Sequence, residues 1–203
     1  DCALLAEQGV TWVFAPEVAV MYPPGAATRV VVDGPARRFE GAARPGHFDG
    51  VATVVCRLFQ AVPADAAYFG AKDWQQTVVV QRMVRDLGLP IEIIVCPTVR
   101  EPDGLALSSR NAYLSPAERL RAVAFSAGLA QAGRLWSEGA GVPEIEAALR
   151  QSLAAHDIAC DYAAVVEPQS LEDLADTRGP AIALVAGRLG TTRLIDNREL
   201  PRR

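Results

Sequence analysis

Histidine occurs only twice in the 203 residues, and the four cysteines, Cys2, Cys56, Cys96 and Cys160, lie far apart with no C-x-x-C pair. A structural zinc site draws on closely spaced His and Cys ligands, so this set leaves too few. Three of the cysteines sit in apolar patterns and read as buried thiols of a reducing compartment, not as a disulfide framework. An excess of positive charge is lacking too, with 20 lysines and arginines against 24 acidic residues. The net charge is −4, and basic residues gather no further than pairs such as the terminal Arg202-Arg203. That excludes a broad phosphate footprint for nucleic acid. No apolar run approaches the ~20 residues that span a bilayer, and no signal peptide is visible. The expectation is a cytoplasmic protein with small-molecule partners, no nucleic acid and no membrane. Half of the residues are hydrophobic and 22% are charged, a balance that folds, with length for one large domain or two small ones.

The stretch that organises the chain is Phe69-Gly70-Ala71-Lys72-Asp73-Trp74-Gln75-Gln76. An apolar run over 66–69 precedes it and a helical pattern to Leu87 follows. A strand, a glycine turn and a helix start make the place where α/β proteins hold ligand phosphates. Gly70 suits a turn angle that residues with a Cβ avoid. Lys72 puts a mobile cation at the positive end of the helix, and Gln76, four residues on, shares its face. A neutral amide there could orient a substrate hydroxyl or carboxylate. The competing reading is structural: Asp73 as N-cap, with Asp73-x-x-Gln76 as a loose capping box.

Around this stretch the pattern alternates. Cys2 to Gln8 reads as the end of a helix stopped by Gly9; the opening at Asp1 without Met reads as cut from something longer. Residues 10–14 and 28–32 are predicted strands, separated by a Pro-Gly loop. Val51, Val54, Val55, Leu58, Phe59 and Val62 fall on one helical face. Residues 91–96 are a continuous β-branched run, as in a strand covered on both faces. Helices alternating with strands predict a parallel sheet wrapped by helices.

Beyond residue 98 the character changes. Residues 98–110 read as a hairpin about Glu101-Pro102-Asp103-Gly104, with Asp103 serving the turn. The return strand delivers Leu107-Ser108-Ser109-Arg110-Asn111. Two hydroxyls beside a guanidinium fork suit a phosphate, although a polar loop with arginine in water is the ordinary alternative. Ser115-Pro116-Ala117-Glu118 is a capping box that starts a helix to about Glu138. A second helix covers about 143–156, and strands follow at 162–166 and 181–186, with a helical turn at 170–174 between them. Another strand is suggested near 189–197. His47, in a Pro-Gly turn, is open between capping and catalysis, and His156 reads as solvated at a helix end.

Three motifs together carry a resemblance. They are Glu40-Gly-x-x-Arg44-Pro-Gly-His47-Phe, Phe69-Gly-x-Lys72-Asp73-x-Gln75-Gln76 and Asp103-Gly-Leu-Ala-Leu-Ser108-Ser109-Arg110-Asn111. In order and spacing they resemble the pantoate–β-alanine ligases over residues 1–197. The resemblance implies a partial Rossmann-like, nucleotidyltransferase-type α/β sheet domain (1–98) and a smaller α+β domain (99–203) closing over the ATP site. It implies pantoate, β-alanine and ATP with Mg2+, a pantoyl-adenylate intermediate, and a homodimer. It implies that Gly70, Ala71, Lys72, Asp73, Val99, Leu107, Ser108, Ser109 and Arg110 contact ATP, that Gln76 holds pantoate, and that Lys72, Ser108 and Arg110 act in catalysis. Ala71 departs from the polar residue usual in that family, and the family's N-terminal histidine motif has no match here. A non-catalytic remnant is therefore one alternative and another nucleotidyl transferase of the same fold a second; Gln76 with Ser108-Ser109-Arg110 speaks against the latter.

Overall fold

The glycine stop predicted at the first helix is present. In the computed structural model, which describes residues 2–202, α1 covers Cys2–Glu7 and Gly9 follows with φ 73°, a left-handed angle glycine takes without a Cβ clash. Asp1 and Arg203, the latter one of the terminal arginine pair, lie outside the described residues. Two short helices come next, α2 (Val18–Met21) and α3 (Glu40–Ala43). The runs 10–14 and 28–32, expected as strands, join no ladder. β propensity yields a strand only where a neighbour takes up the backbone bonds, and no described segment pairs with either. Trp12 stands 88% exposed, and the Val30 N–H donates instead to the Thr53 hydroxyl at 2.9 Å.

The alternating middle is as predicted. Helix α4 (His47–Ala61) leads into β1 (Ala66–Gly70), a 3-10 turn at Ala71–Asp73, α5 (Trp74–Leu87) and β2 (Glu92–Cys96). β1 and β2 are parallel, with Ala66 opposite Glu92 and Gly70 opposite Cys96. Phe48, Ala52 and Val55 of α4 pack on Val79, Val80 and Met83 of α5, and Phe69 and Ile93 turn toward them. The expectation that residues 91–96 are covered on both faces fails: every residue of β2 is half-buried or exposed, and Tyr68 of β1 is exposed. Both helices pack together, so one face of the two strands is left open.

The hairpin after residue 98 is minimal, a single antiparallel bridge between Arg100 and Ala106. Asp103 serves the turn as read, its Oδ1 accepting from the Leu105 N–H at 3.1 Å. A 3-10 segment, Ser109–Tyr113, then meets α6 (Pro116–Ala122). The capping box is complete, with Ser115 accepting from the Glu118 N–H and the Glu118 carboxylate accepting from the Ser115 N–H. Val123 separates α6 from α7 (Ala124–Ser137), and α8 covers Val142–Ala154.

The chain closes with the antiparallel strands β3 (Ala159–Val166), β4 (Ala181–Leu189) and β5 (Thr192–Leu200), in spatial order β3-β4-β5. Residues 170–174 form no helical turn; a bridge joins Val166 to Asp173. Strand alternation sorts the side chains onto two faces. Ala163, Val165, Val185 and Leu194 face Phe125 and Leu149 of α7 and α8. On the other face Ala164, Ile182 and Leu184 meet Val78 and Trp74 of α5. The parallel unit and the antiparallel sheet thus share a core, and the edge of that contact is where polar residues gather. No described helix is long and apolar enough to cross a membrane. Of the free cysteines Cys56 is buried, Cys96 and Cys160 are half-buried, and Cys2 is exposed.

Candidate functional site

A cavity of about 230 Å³ opens between the start of α5, the 3-10 segment after the hairpin and the inner face of β5. Its wall includes Lys72, Asp73 and Gln76 from the α5 side and Ser108, Ser109 and Arg110 from the other. Two stretches thirty-odd residues apart in sequence therefore converge. Gly70, Ala71, Val99 and Leu107 are not in the wall. Val99 and Leu107 are both exposed and are tied to each other by the Leu107 N–H to Val99 carbonyl bond, 2.9 Å. The Ala71 side chain is buried and outside this wall, so its departure from a polar residue leaves the wall unchanged.

Two local expectations are corrected. Gly70 adopts φ −76°, ψ 131°, ordinary extended backbone, and not the left-handed turn its type suggested. A Cβ there would meet nothing within 4 Å, so what Gly70 leaves is open space. Asp73 precedes α5 without a cap bond; with ψ 56° its carboxylate does not turn back onto the helix N–H groups, and it lies 3.8 Å from the Lys72 ammonium instead. Asp73→Ala is therefore expected to change stability by less than about 0.5 kcal/mol in urea unfolding, where a lost N-cap would cost about 1.

Lys72 is the sole lysine of the sequence; the other nineteen basic residues are arginines. Arginine offers a planar fork, lysine a compact charge with three rotatable donors. That only this position keeps lysine is a signal the motif reading passed over. Its side chain is 20% exposed, and an open pair such as Lys72–Asp73 holds its charge loosely.

The remaining cavity charges divide into committed and available. Glu40, buried at the start of α3, accepts both Arg193 guanidinium nitrogens at 2.7 and 2.8 Å and the Tyr162 hydroxyl at 3.0 Å. Arg193 also donates to Asp161 at 2.6 Å. Burial works against the Arg193 charge, but the bonds to Glu40 and Asp161 prevail and raise its pKa. Burial, then the Glu40 carboxylate, push the Tyr162 phenol far up, so it stays protonated and donating. Asp196 is matched by Arg100 at 2.7 and 3.0 Å. Among the described residues this leaves Lys72, Arg110 and Arg44 as cations without a close carboxylate in the wall, apart from Asp73. Arg110 is braced by the Arg193 carbonyl at 3.4 Å, and the Ser108 hydroxyl oxygen accepts from the Arg110 N–H at 3.2 Å, which frees the Ser108 proton to face a ligand.

Beside them Arg44 donates to His47 Nε2 at 3.1 Å. Because a guanidinium only donates, His47 is neutral with its proton on Nδ1. Burial and then the Arg44 charge hold its pKa below the ordinary histidine value. His47, open between two roles in the sequence, thus belongs to the cavity wall. His156 caps its own helix, Nδ1 lying 2.9 Å from the Ser152 carbonyl.

The second motif is held from behind. Asn111 and Arg119 both donate to Glu101, at 2.7 and 2.8 Å, and these two bonds lower the Glu101 pKa. They fix the 3-10 segment that carries Ser109 and Arg110. From β5, Asn197 Nδ2 donates to the carbonyls of Ala71 and Lys72 at 2.8 and 2.9 Å. Gln75 is buried and accepts from the Glu40 N–H at 2.9 Å while donating to the Pro35 and Arg38 carbonyls. Motif reading missed Asn197, Arg193 and Tyr162. Polar residues at 193, 196 and 197 within an apolar strand pattern were their trace.

A cluster of three cations and neutral donors opposed by a single uncommitted carboxylate, Asp73, suits a polyanion. Asp73 is the one wall carboxylate not committed to an arginine. One carboxylate with phosphate oxygens and waters is an arrangement Mg2+ accepts. Among the described residues no group of three His, Cys, Asp or Glu side chains could hold a metal by itself.

The pantoate-beta-alanine ligase family model matches residues 1–199. The pantothenate synthetase of Thermus thermophilus is 52% identical over 202 residues, covering 98% of this chain and 73% of that protein. The pantothenate synthetase of Rhizorhabdus wittichii is 50% identical over 198 residues, covering 97% of this chain and 70% of that protein. A crystal structure of the Thermus thermophilus protein matches with a TM-score of 0.94 at 51% identity, covering 98% of this chain and 73% of that one. The pantoate-beta-alanine ligase of Francisella tularensis, solved in complex with beta-gamma ATP and beta-alanine, matches with a TM-score of 0.76 at 31% identity, covering 98% of this chain and 68% of that one.

Proposed function

The chain belongs to the pantoate-beta-alanine ligase family, and from that premise we propose that its cavity joins pantoate to β-alanine at the expense of ATP, through a pantoyl adenylate. The observation that carries this reading is the convergence of Lys72, Ser108, Ser109 and Arg110 on one cavity that Gln76 also lines. A triphosphate needs its charge neutralised while a carboxylate is held in line behind the α-phosphorus. A pantoate carboxylate oxygen attacks that phosphorus, the bond to the β-phosphate breaks, and pyrophosphate leaves. The amine of β-alanine then attacks the acyl carbon, loses a proton, and AMP departs.

In this reading Lys72 and Arg110 take up charge as it builds on the phosphate oxygens, preorganised donors of the kind that dominate such reactions. Ser108 and Ser109 add neutral donors. Gln76 orients pantoate through its amide without adding a charge that would compete with ATP. Gly70, next to that wall in sequence, keeps open space beside the backbone, into which a bound nucleotide could extend. Mg2+ carried by the phosphates would supply further neutralisation, and Asp73 is the residue here that would reach it. Residues 1–98 supply Lys72 and Gln76, and residues 99–203 the serines and Arg110, so the two parts close on ATP together.

The test is pantoate-dependent exchange of labelled pyrophosphate into ATP, without β-alanine, in the complete protein, because the matched relatives extend beyond the matched region. Exchange that needs pantoate is the expected result. Release of ADP and phosphate instead, or no exchange until β-alanine is present, would replace the adenylate by another route.

A further inference from the structure

The turn that presents Lys72 has little of its own to hold it. Neither Gly70 nor Asp73 makes a side-chain cap bond at its ends, and the space beside Gly70 is empty. Its one ion pair among the described residues, Lys72 with Asp73, is internal to the turn and loose, at 3.8 Å. A three-residue 3-10 turn so placed is free to rock about β1, which would swing the ammonium across the cavity. What stops it comes from the far end of the sequence. The Asn197 amide nitrogen spends both of its protons on this turn, one on the Ala71 carbonyl at 2.8 Å and one on the Lys72 carbonyl at 2.9 Å. Asn197 is buried, and its own backbone is fixed in register opposite Leu184 and by its N–H to Asp196 Oδ1 at 2.8 Å.

We infer that Asn197 is a positioning residue for Lys72: it measures the turn carrying the cation against the strand that also anchors Arg110. The placement of β5 makes the role specific. Alternation turns Arg193 and Asn197 to one face of that strand. Arg193 meets Arg110 through its carbonyl and Glu40 through its guanidinium, while Asn197 holds the Lys72 backbone. One rigid strand thereby sets the spacing of the two cations that the proposed chemistry needs on opposite sides of a phosphate. The inference rests on the assignment of Lys72 made above. A displacement of about 1 Å in such a group is enough for a loss near 10²-fold, so Asn197, whose two amide protons are both spent on the turn, can act through the lysine it positions.

The test uses the complete enzyme with Asn197→Leu, which keeps the volume and removes the donor, and Asn197→Ala as a second variant, each also made in a Lys72→Ala background. In the folded variants, kcat is expected to fall about 10²-fold while KM for pantoate stays within about threefold, because positioning acts on the transition state. In the Lys72→Ala background the same substitutions should cost nothing further, since the group they position is gone. Wild-type kcat in either folded variant overturns the inference. An equal further loss in the Lys72→Ala background also overturns it, by making Asn197 act independently of the lysine. Two variants that fail to fold would make Asn197 a clamp of the fold, which overturns the positioning role as well. A Lys72→Ala enzyme with full turnover would instead remove the assignment of Lys72 itself, and so separates failure of the functional reading from failure of this one.

Discussion

Lys72→Ala in the complete enzyme should lower turnover by about 10²- to 10³-fold, the loss seen when one preorganised donor to a developing negative charge is removed. Its cost to stability should be small, under about 0.5 kcal/mol, because among the described residues the only ion pair lost is the 3.8 Å contact with Asp73 and such long contacts are worth little. The separation of the two effects is the point. A residue held for the fold loses both activity and stability together, and one held for the chemistry loses activity alone. Lys72→Arg keeps the charge but replaces a compact ammonium by a broad fork, in a sequence that uses arginine at every other basic position. It should recover only part of the turnover. Steady-state kinetics with ATP and pantoate varied in turn, beside urea unfolding, read all of this. Near-normal turnover in Lys72→Ala would take the residue out of the proposed chemistry.

What was legible in the sequence was what short stretches decide by themselves. Residues 66–96 declared a strand, a helix and a strand because period and punctuation sit within thirty residues, and the structure has that unit in parallel register. The capping box at Ser115 was read for the same reason. The runs 10–14 and 28–32 carry equally good β composition, yet neither is a strand, because strand formation is settled by a neighbour and composition holds no record of one. Gly70 shows the limit at a single residue: glycine permits a left-handed angle, and here the backbone does not use it. Asp73 likewise has the chemistry of a cap without the geometry.

The cavity was legible as motifs and not as a network. Lys72, Gln76, Ser108 and Arg110 were named from local chemistry, and the structure brings all four to one wall. The residues that hold them, Asn197, Arg193 and Glu40, act over separations of 125 and 153 positions, where one sequence offers no rule for pairing. Their trace was indirect. Polar side chains recur in a strand whose neighbours are apolar, and a buried polar group must find a partner or cost free energy.

That penalty makes the bond between α3 and β5 a vulnerable link in the fold. Arg193 and Glu40 have side chains 10% and 8% exposed, joined at 2.7 Å. Arg193→Leu would leave the Glu40 carboxylate dehydrated with the Tyr162 hydroxyl as its remaining donor. Removing one partner of a buried pair costs about 3–5 kcal/mol, because the remaining charge is uncompensated. For a chain of this size that is a fall of about 10 °C in Tm. The control is Arg188→Ala: Arg188 also approaches Asp161, at 3.7 Å, but its side chain is 53% exposed, and its loss should cost less than about 1 kcal/mol. The double variant Glu40→Gln with Arg193→Leu should be more stable than the sum of its parts, since it no longer buries an unpaired charge. Urea unfolding of the four proteins, with equal slopes, measures the coupling directly. An Arg193→Leu cost below about 1 kcal/mol would mean that water reaches Glu40 in the folded state, and the tie between the two sides of the cavity would then be a surface contact in place of a buried one.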